Sequence, residues 1–361
     1  MFYIIKEIIA TINHMRKRVT IQNIADELGI SRNTVSKAIN STGSISDETR
    51  DKIFQKAAEI GYNQYSMLSP IQENITSTTV NNKEIALLTH SLIGNSHFCS
   101  SLINTFEKKI SKQGYRLSIY TIGDSEIDSL LFPANFSYDN TDGIICIELF
   151  SQVYSEFLCT QGIPTLFVDT AVNISDLNLA SDILYMENHG SVYIMLKEII
   201  EKGYSNISFV GDRFKCNSFY ERWKGYCDVL NDYNITVNPS NCILDNGSYP
   251  YMDSKWLSKR ISSLPKLPEV FFCANDFLAI STLKALRKLN YSVPKDILLC
   301  GFDNSIESQI IEPSLSTVNI PSFSMGYIAA DLIISRIEFP DMSYRTTYVK
   351  TNVLLRESTK H

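Results

Sequence analysis

From Lys83 onward, the sequence alternates between short apolar segments and amphipathic segments. The apolar segments are nearly continuous, which is typical of strands buried on both faces of a parallel sheet. Helical patterns such as those of residues 101–114 and 218–232 separate most of them. The predicted strands are 84–90, 115–122, 142–149, 164–170, 182–186, 206–212, 269–276 and 297–304. This pattern predicts an α/β fold with parallel sheets, and its length exceeds that of one ordinary domain, so we expect two lobes.

The N-terminal part has a different pattern, that of three short helices. Thr20, Ser31 and Ser46 are predicted N-caps, and Gly29 and Gly61 are predicted to end the first and third helices. The apolar positions at helical spacing are Ile24, Ala25, Leu28, Val35, Ala38, Ile39, Ile53, Ala57 and Ile60. We therefore expect an all-α headpiece over residues 18–62.

Composition restricts the class of protein. Residues 16–65 carry eight basic and six acidic side chains, whereas the whole chain has a net charge of −6, so a basic head precedes an acidic body. No run approaches 18 apolar residues, and eight cysteines are scattered without a CxxC pair. We expect a cytoplasmic protein with reduced thiols, without a membrane segment, metal site or cofactor.

The first two predicted helices have the pattern of a helix–turn–helix. A turn at residues 29–31 joins them, and the second begins with polar side chains, which is the geometry that places a recognition helix in the major groove of DNA. Arginine reads guanine and asparagine reads adenine, whereas hydroxyls suit phosphates. The predicted base contacts are Arg32, Asn33, Thr34 and Lys37, and the predicted phosphate contacts are Ser31, Ser36 and Asn40. The alternative is a helical hairpin whose polar face is only solvated.

A longer similarity supports DNA binding. The run VTIQNIADELGISRNTVSKAINSTGSISDETRDKIFQKAAEIGYNQ resembles the headpiece of LacI/GalR-family transcriptional regulators. The resemblance continues through GYRLSIYT, DGIICIE, IPTLFVDT, ERWKGY, FFCANDFLA, CGFDNS and PSLSTVNIPSFSMG, so that it covers about residues 18–360. It implies a DNA-binding headpiece joined to an effector domain of the type I periplasmic-binding-protein-like fold.

Three departures from the family pattern stand out. Residues 1–17 form an extension before the headpiece, and either Met1 or Met15 is the start. Ile71 matches the family's minor-groove wedge, but Pro70 directly precedes it and would disrupt a helix through 65–72. The segment Ser69–Gln72 instead has the form of a capping box that begins a helix. The third departure is Met186-Glu187-Asn188, where the family usually has V-D-x-x-x-G.

Candidate effector contacts follow the predicted strands. Open parallel sheets bind ligands beyond the carboxyl ends of their strands. The resemblance implies pocket roles for Asp169, Ser218, Arg222, Asn275 and Asp303. We add His97 and Phe98, which follow the first strand, and Tyr249, an aromatic side chain that could stack on the ligand. Asp276 is expected to be a helix N-cap instead, and Trp223 either stacks on the ligand or belongs to the core. Such residues suit sugar hydroxyls or the edges of nucleosides.

These features predict a homodimeric transcriptional regulator, expected to be a repressor, that binds double-stranded operator DNA and a small-molecule effector. Residues 63–82 would form the linker or hinge, and residues 83–361 the effector-binding and dimerisation domain. Within it, one lobe would comprise about 83–186 with 320–347, and the other 187–319 with 348–361. The terminal LLRESTKH lacks leucine heptads, which favours a dimer over a tetramer.

Two other classes stay open on sequence alone, namely a solute-binding protein and an α/β enzyme, each without a DNA role. The sequence lacks GxGxxG, P-loop, HExxH and GxSxG motifs, so we predict no catalytic residues and no enzyme activity.

Overall fold

The computed structural model describes residues 21–39, 45–46, 49, 52–53, 56, 83–90, 97–172, 179–247 and 249–360, apart from the side chains of Ile39, His97 and Phe98. The chain divides into two compact units, residues 1–80 and 81–361. Within the described residues, no helix has the length and apolar character needed to cross a membrane.

The first unit contains the predicted helix–turn–helix. Its helices are α1 (Ile21–Leu28) and α2 (Arg32–Ile39). Gly29 ends α1 with a φ of +63°, and the amide of Ile30 donates to the carbonyl of Ala25, which completes a Schellman-type C-cap. Ser31 caps α2, because its Oγ accepts a hydrogen bond from the amide of Thr34 at 3.1 Å. These predicted helix boundaries are therefore confirmed.

The core of the headpiece also matches the predicted pattern. Ile24 and Ala25 from α1 pack with Val35 and Ala38 from α2 and with Ile53. Residues 49, 52, 53 and 56 are helical, and the Oγ of Ser46 accepts a hydrogen bond from the amide of Thr49 at 3.4 Å. Of the other predicted positions, Thr20, Ala57, Ile60 and Gly61 lie outside the described residues.

A six-stranded parallel sheet forms the first lobe of the second unit. Its strands are β1 (Glu84–Thr89), β2 (Arg116–Thr121), β3 (Thr141–Ile147), β4 (Thr165–Val168), β5 (Asp182–Met186) and β10 (Thr346–Val349). Their order in the sheet is β10-β5-β4-β3-β1-β2. The helices of this lobe are α3 (His97–Ser111), α4 (Asp124–Ser129), α5 (Gln152–Cys159) and α11 (Ser322–Glu338).

The four central strands of this sheet are buried on both faces, which explains their continuous apolar sequences. Along β1, Ile85 and Leu87 enter the cluster that contains residues of α3 and α11, whereas Ala86 and Leu88 enter the cluster that contains residues of α5. The sheet therefore lies between two helical layers, as its sequence pattern predicts.

The strands of the second lobe are β6 (Ile207–Val210), β7 (Val270–Cys273), β8 (Leu298–Cys300), β9 (Thr317–Asn319) and β11 (Asn352–Leu354). They form a parallel sheet of order β6-β7-β8 and an antiparallel pair of β9 and β11. The helices are α6 (His189–Ile200), α7 (Asn217–Asp232), α8 (Ser254–Ser262), α9 (Asp276–Lys288) and α10 (Ile306–Ile310). Short 3-10 helices lie at Tyr138–Asn140, Pro239–Asn241 and Glu357–Thr359.

The chain passes between the two lobes at three places: after β5, between β9 and α11, and between β10 and β11. The eight strands predicted from apolar runs are present. Strands β9, β10 and β11 were not predicted, because no continuous apolar run marks their sequences, TVN, TTYV and NVL, and β10 alternates between exposed and half-buried positions. The predicted α/β class with parallel sheets is confirmed.

Candidate functional site

The beginning of α2 presents polar side chains to solvent. Arg32, Asn33 and Lys37 are exposed, whereas Val35 and Ala38 on the opposite side are buried in the headpiece core. A guanidinium, an amide and an ammonium group thus share the exposed surface of one short helix. These are side chains that read base edges in a major groove.

The hydroxyl groups at the start of this helix also have a structural role. Ser31 Oγ lies 2.8 Å from Thr34 Oγ1 in addition to accepting from the Thr34 amide, so the N-cap fixes both hydroxyls. Thr34 and Ser36 are half-buried. If Ser31 or Thr34 contacts DNA, its hydroxyl must do so while it also takes part in the hydrogen bonds of the N-cap. Asn40 and Ile71 lie outside the described residues.

Strained backbone marks the carboxyl ends of three strands in the second unit. Glu148 after β3, Asp169 after β4, and Asp303 and Asn304 after β8 have φ values of 53°, 63°, 114° and 56°. Such a conformation costs a residue other than glycine about 1–3 kcal/mol, and residues of this kind cluster at functional sites. All four lie where an open parallel sheet binds its ligand.

Arg222 on α7 is the centre of the polar network at these strand ends. The side chain is 3% exposed, and its Nε donates to Oδ1 of Asn188 at 2.9 Å. Its Nη1 donates to the carbonyl of Ala274 at 2.6 Å and lies 3.4 Å from Oδ1 of Asp303. The guanidinium also lies 3.6 Å from the ring centroid of Phe302. Arg222 is therefore fixed in position and orients the more exposed Asp303 carboxylate.

Asp169 and Ser218 extend the same network. The carboxylate Oδ1 of Asp169 accepts from the amides of Thr170 and Ser218, at 2.9 and 3.1 Å. The Ser218 hydroxyl accepts from Nδ2 of Asn188 at 3.3 Å. Burial raises the pKa of Asp169, despite these hydrogen bonds. The structure thus joins four of the eight predicted effector residues, Asp169, Ser218, Arg222 and Asp303, through Asn188.

Asn275, rather than Asp276, is the N-cap of α9. Asn275 caps α9, because its Oδ1 accepts from the amide of Leu278 at 3.0 Å. The prediction that Asp276 is the N-cap is wrong, since Asp276 is the first residue of the helix itself. Its fully buried carboxylate accepts from the hydroxyl of Thr317 at 2.6 Å and from the amide of Ser305 at 2.8 Å.

The two carboxyl groups near α9 hold protons more tightly than usual. Burial raises the pKa of Asp276 to about 7, and the negative charge of Asp303 adds to the increase. Burial also raises the pKa of Asp303 to about 6, although Arg222 opposes the increase. Because the protonated form is favoured in the folded state, Asp276 makes folding less favourable as the pH rises from about 4 to 7.

We expect the second unit to be more stable at pH 6 than at pH 8, by about 1.4 kcal/mol from Asp276 alone. The folded state binds a proton at Asp276 in this interval, and the unfolded state does not. Thermal unfolding at a series of pH values measures the effect, and Asp276→Asn should remove most of it. An equally steep dependence in that variant would assign it to other groups.

The remaining predicted residues stand apart from this network. Tyr249 is half-exposed and its ring packs against Trp256 of α8, at 5.9 Å between centroids. Trp223 is 8% exposed and stacks on Tyr226, so it belongs to the core rather than to a ligand platform. His97 and Phe98 begin α3, but their side chains are not among the described ones.

Sequence reasoning missed two residues of the site. Asn188 lies at the first passage between lobes, within the segment that departs from the family pattern, and its amide also donates to the carbonyl of Met186 and to Glu221. Glu148 directly follows β3, but the predicted strand 142–149 enclosed it. A strand predicted to end at Ile147 would have identified Glu148 by the same rule that identified Asp169.

A cavity of about 290 Å³ lies between the lobes beside Asp303. Ser100 and Ser101 of α3 and Ser322 of α11 line it from the first lobe, and Phe277 and Ser305 line it from the second. Its mixed polar and apolar lining suits a small polar ligand. Among the described residues, no cluster of His, Cys, Asp and Glu could hold a metal ion.

Comparisons with known proteins agree with both units. The lacI family of bacterial regulatory proteins matches residues 20–64, and the periplasmic-binding-protein-like domain matches residues 196–359. The HTH-type transcriptional repressor PurR of Histophilus somni is 22% identical over 343 residues, which are 94% of this chain and 99% of that protein.

Solved structures show the same fold. The transcriptional regulator CelR in complex with cellobiose superposes with a TM-score of 0.68 at 21% identity, over 94% of this chain and 100% of that one. The Lac repressor dimer bound to operator and the anti-inducer ONPF superposes with a TM-score of 0.63 at 18% identity, over 95% of this chain and 99% of that one. The chain therefore combines a helix–turn–helix domain of the lacI type with a periplasmic-binding-protein-like domain, and it is a DNA-binding transcriptional regulator controlled by an effector.

Proposed function

We propose that the protein is a homodimeric repressor whose affinity for operator DNA is set by a small molecule bound between the two lobes. The observation that carries the proposal is the continuous network from Asp169 through Ser218, Asn188 and Arg222 to Asp303. It connects the carboxylates at the strand ends, where a ligand would bind, to the segment that passes between the lobes after β5. The backbone of that segment would change conformation when one lobe rotates relative to the other.

The headpiece supplies the DNA contacts in this proposal. Arg32, Asn33, Thr34 and Lys37 would contact base edges, and Ser31, Ser36 and Asn40 would contact phosphates. Two headpieces related by a two-fold axis would bind a near-palindromic operator. Ile71 would be the minor-groove wedge if the linker forms the family's hinge helix. The headpiece would span residues 18–62, the linker 63–82 and the effector domain 83–361.

The effector is proposed to be a sugar or sugar-like molecule, with a nucleoside or nucleobase as the second candidate. A carboxylate held by an arginine accepts hydrogen bonds from hydroxyls, and the CelR structure contains cellobiose. Asp303, Arg222, Asn275, Asp169, Ser218, Phe98, His97 and Tyr249 are the proposed contacts. The protein would act in the cytoplasm, where operator DNA lies, without a cofactor or catalytic activity.

Effector binding would act on DNA affinity through lobe rotation. A ligand that contacts Asp303 and the first lobe stabilises one relative orientation of the lobes, which changes how the two headpieces of a dimer are held. The coupling requires a ligand with different affinities for the two orientations.

Operator binding by the full-length protein tests the proposal. Candidate operators are selected from random duplexes, and affinity is measured against salt concentration with and without sugars and nucleobases. We expect a steep salt dependence and a change in operator affinity with one ligand class. The absence of salt-dependent binding to any duplex would favour the solute-binding or enzyme classes.

Replacing Arg32 with Ala should relax the sequence preference at one base pair, with a loss of about 1–3 kcal/mol for the preferred base. The same measurement on Asn33→Ala should relax a different base pair. Glu27→Ala is the matched control, because Glu27 is exposed on α1, outside the recognition helix. Unchanged affinity for every operator variant would remove Arg32 and Asn33 from the base contacts.

A further inference from the structure

Asp303 and Asn319 lie next to each other in the wall of the cavity between the lobes. Both are among the residues that line this cavity. The amide of Asp303 donates to the carbonyl of Val318 at 2.9 Å, and a parallel bridge pairs Asp303 with Asn319. Their backbones are therefore about one interstrand spacing of 4.8 Å apart. The carboxylate of Asp303 accepts hydrogen bonds, whereas the amide of Asn319 can either accept or donate, depending on its orientation.

Asn304, which also lines the cavity, determines the orientation of the Asn319 amide. The Nδ2 of Asn304 donates to Oδ1 of Asn319 at 2.8 Å. The oxygen of the Asn319 amide is thus engaged within the cavity wall. Among the residues that the structure describes, none accepts a hydrogen bond from Nδ2 of Asn319. In this orientation Asn319 offers a donor to a ligand in the cavity.

Arg356, in the segment that follows β11, fixes the orientation of Asn304 in turn. Its Nη2 donates to Oδ1 of Asn304 at 2.5 Å, and its Nη1 donates to the carbonyl of Leu315 at 3.0 Å and to the hydroxyl of Ser308 at 3.2 Å. A guanidinium carries donors only. Asn304 must therefore turn its oxygen towards Arg356 and its nitrogen towards Asn319. The charge of Arg356 thus sets the direction of two successive amides.

The segment that carries Arg356 is anchored in the second lobe. The amide of Arg356 donates to Oγ of Ser316 at 2.7 Å. The buried hydroxyl of Ser358 donates to the carbonyl of Leu299 in β8 at 2.6 Å and accepts from the amide of Ser316 at 2.8 Å. These bonds hold the segment against the strands that end at the cavity, so the guanidinium has a fixed position relative to Asn304.

We propose that Asn319 is a specificity-determining residue that binds the effector as a hydrogen-bond donor, and that Arg356 is a positioning residue that fixes this role through Asn304. The inference rests on the proposed function, because it concerns the cavity assigned there to the effector. With Asp303 beside Asn319, the wall offers one acceptor and one donor. An uncharged vicinal diol of a sugar matches them, because one hydroxyl donates to Asp303 while its neighbour accepts from Asn319.

Two substitutions that preserve shape test the proposed orientation. Asn319→Asp keeps the oxygen that accepts from Asn304 but replaces the donor with a second oxygen. Asn304→Asp keeps an acceptor for Arg356 but turns an oxygen towards Asn319, so the amide of Asn319 should reverse and turn its own oxygen towards the ligand. Both variants should therefore lose the same donor, although only one of them changes residue 319. The new carboxylate at residue 304 would pair with Arg356, so we expect that variant to unfold at no lower temperature than the wild type.

The affinity of the full-length protein for sugars is the measurement. The probes are ribose, glucose, galactose and cellobiose, together with adenine, guanine and hypoxanthine, and then the monodeoxy forms of the sugar that stabilises the protein most against heat. We expect one of the sugars to stabilise the wild type, and Asn319→Asp and Asn304→Asp to weaken its binding about 10- to 100-fold. Asn231→Asp is the matched control, because Asn231 is exposed near the end of α7 in the same lobe. It should bind the sugar like the wild type.

A double-mutant cycle with the monodeoxy sugars identifies the contact itself. In the wild type, removal of the hydroxyl that accepts from Asn319 should weaken binding by about the same factor as Asn319→Asp. In Asn319→Asp, removal of that hydroxyl should have little further effect, because the hydrogen bond is already absent. A general disturbance of the cavity would instead make the two losses additive for every monodeoxy form, which would contradict a contact at Asn319.

Two substitutions of Arg356 separate positioning from general support of the fold. Lysine keeps a donor for Oδ1 of Asn304, whereas methionine has none. Titration calorimetry with the same sugar, below the unfolding temperature of each variant, should give nearly wild-type affinity for Arg356→Lys and an affinity about tenfold lower for Arg356→Met. Equal affinities in these two variants would show that the donor of Arg356 does not set the orientation of Asn304.

The outcomes separate this inference from the proposed function. Unchanged sugar affinity in Asn319→Asp, or stabilisation by nucleobases alone or by no probe, would overturn the assignment of Asn319. A loss in Asn319→Asp without one in Asn304→Asp would overturn the role of Asn304 and Arg356. Operator binding is measured separately, and its absence would refute the proposed function whatever the sugar affinities are.

Discussion

Asp182→Asn should destabilise the second unit by about 3–5 kcal/mol, which is the cost of leaving a buried arginine without its counter-charge. Asp182 is fully buried at the start of β5 and accepts hydrogen bonds from Arg336 through Nε and Nη2, each at 3.1 Å. Arg345 adds its backbone amide at 2.7 Å and its own guanidinium. In the variant, an amide NH₂ would face these donors, and Arg336, 4% exposed, would keep its charge.

The pH dependence of this loss identifies its cause. Burial alone would raise the pKa of Asp182, but the hydrogen bonds from Arg336 and Arg345 outweigh burial and hold the pKa below its ordinary value. The stabilisation is therefore complete above about pH 4 and declines as the pH falls through the folded-state pKa. Denaturant unfolding of wild type and variant should show a constant difference from about pH 8 to 5 and a smaller one below about pH 4.

A matched exposed pair supplies the control. His189 and Asp228 lie 2.7 Å apart with both side chains about half exposed. Asp228→Asn should change stability by no more than about 1 kcal/mol, as is usual for surface pairs. If Asp182→Asn lowers the free energy of unfolding no more than this control does, the buried ion pair does not hold β10 against β5.

The same ion network shows why part of the fold could not be predicted. The eight predicted strands coincide with apolar runs of the sequence, so local composition reveals them. Strand β10 has no such pattern, and its pairing with β5 is stabilised by Asp182 and Arg345, which lie 163 residues apart. A contact between residues so far apart in the sequence produces no local hydrophobic periodicity from which a strand could be predicted. The position of β10 is therefore determined only when this part of the chain packs against β5.

The residues of the site likewise comprise some that local sequence predicts and others that depend on contacts with distant residues. Asp169 and Asp303 follow predicted strands, and position alone identifies them as candidates. Asn188 acts through its hydrogen bonds to Ser218 and Arg222, which are 30 and 34 residues away in sequence. Asn275 and Asp276 are both good capping residues, and only the first turn of α9 determines which one caps and which one is buried.

Arg222→Met should abolish the response to the effector, with affinity reduced at least 100-fold, or about 3 kcal/mol. Methionine retains much of the volume against Phe302 but removes the charge that orients Asp303 and the donor that reaches Asn188. Asp303→Asn should produce a similar loss, while it preserves shape and leaves Arg222 its bonds to Ala274 and Asn188. Operator affinity without effector should persist in both variants, because the headpiece is a separate unit with its own core.

A second arginine in the same lobe distinguishes loss of the site from general damage. Arg260 pairs with Asp245 at 3.0 Å and is 40% exposed, so Arg260→Met removes a comparable ion pair away from the Arg222 network. We expect it to bind effector and operator like the wild type. Titration calorimetry with the sugar or nucleobase that stabilises the wild type measures effector binding, and the change in operator affinity with that ligand measures the response. A normal response in Arg222→Met and Asp303→Asn would place the effector elsewhere, because Asp303 lines the cavity between the lobes and Arg222 is its ion-pair partner.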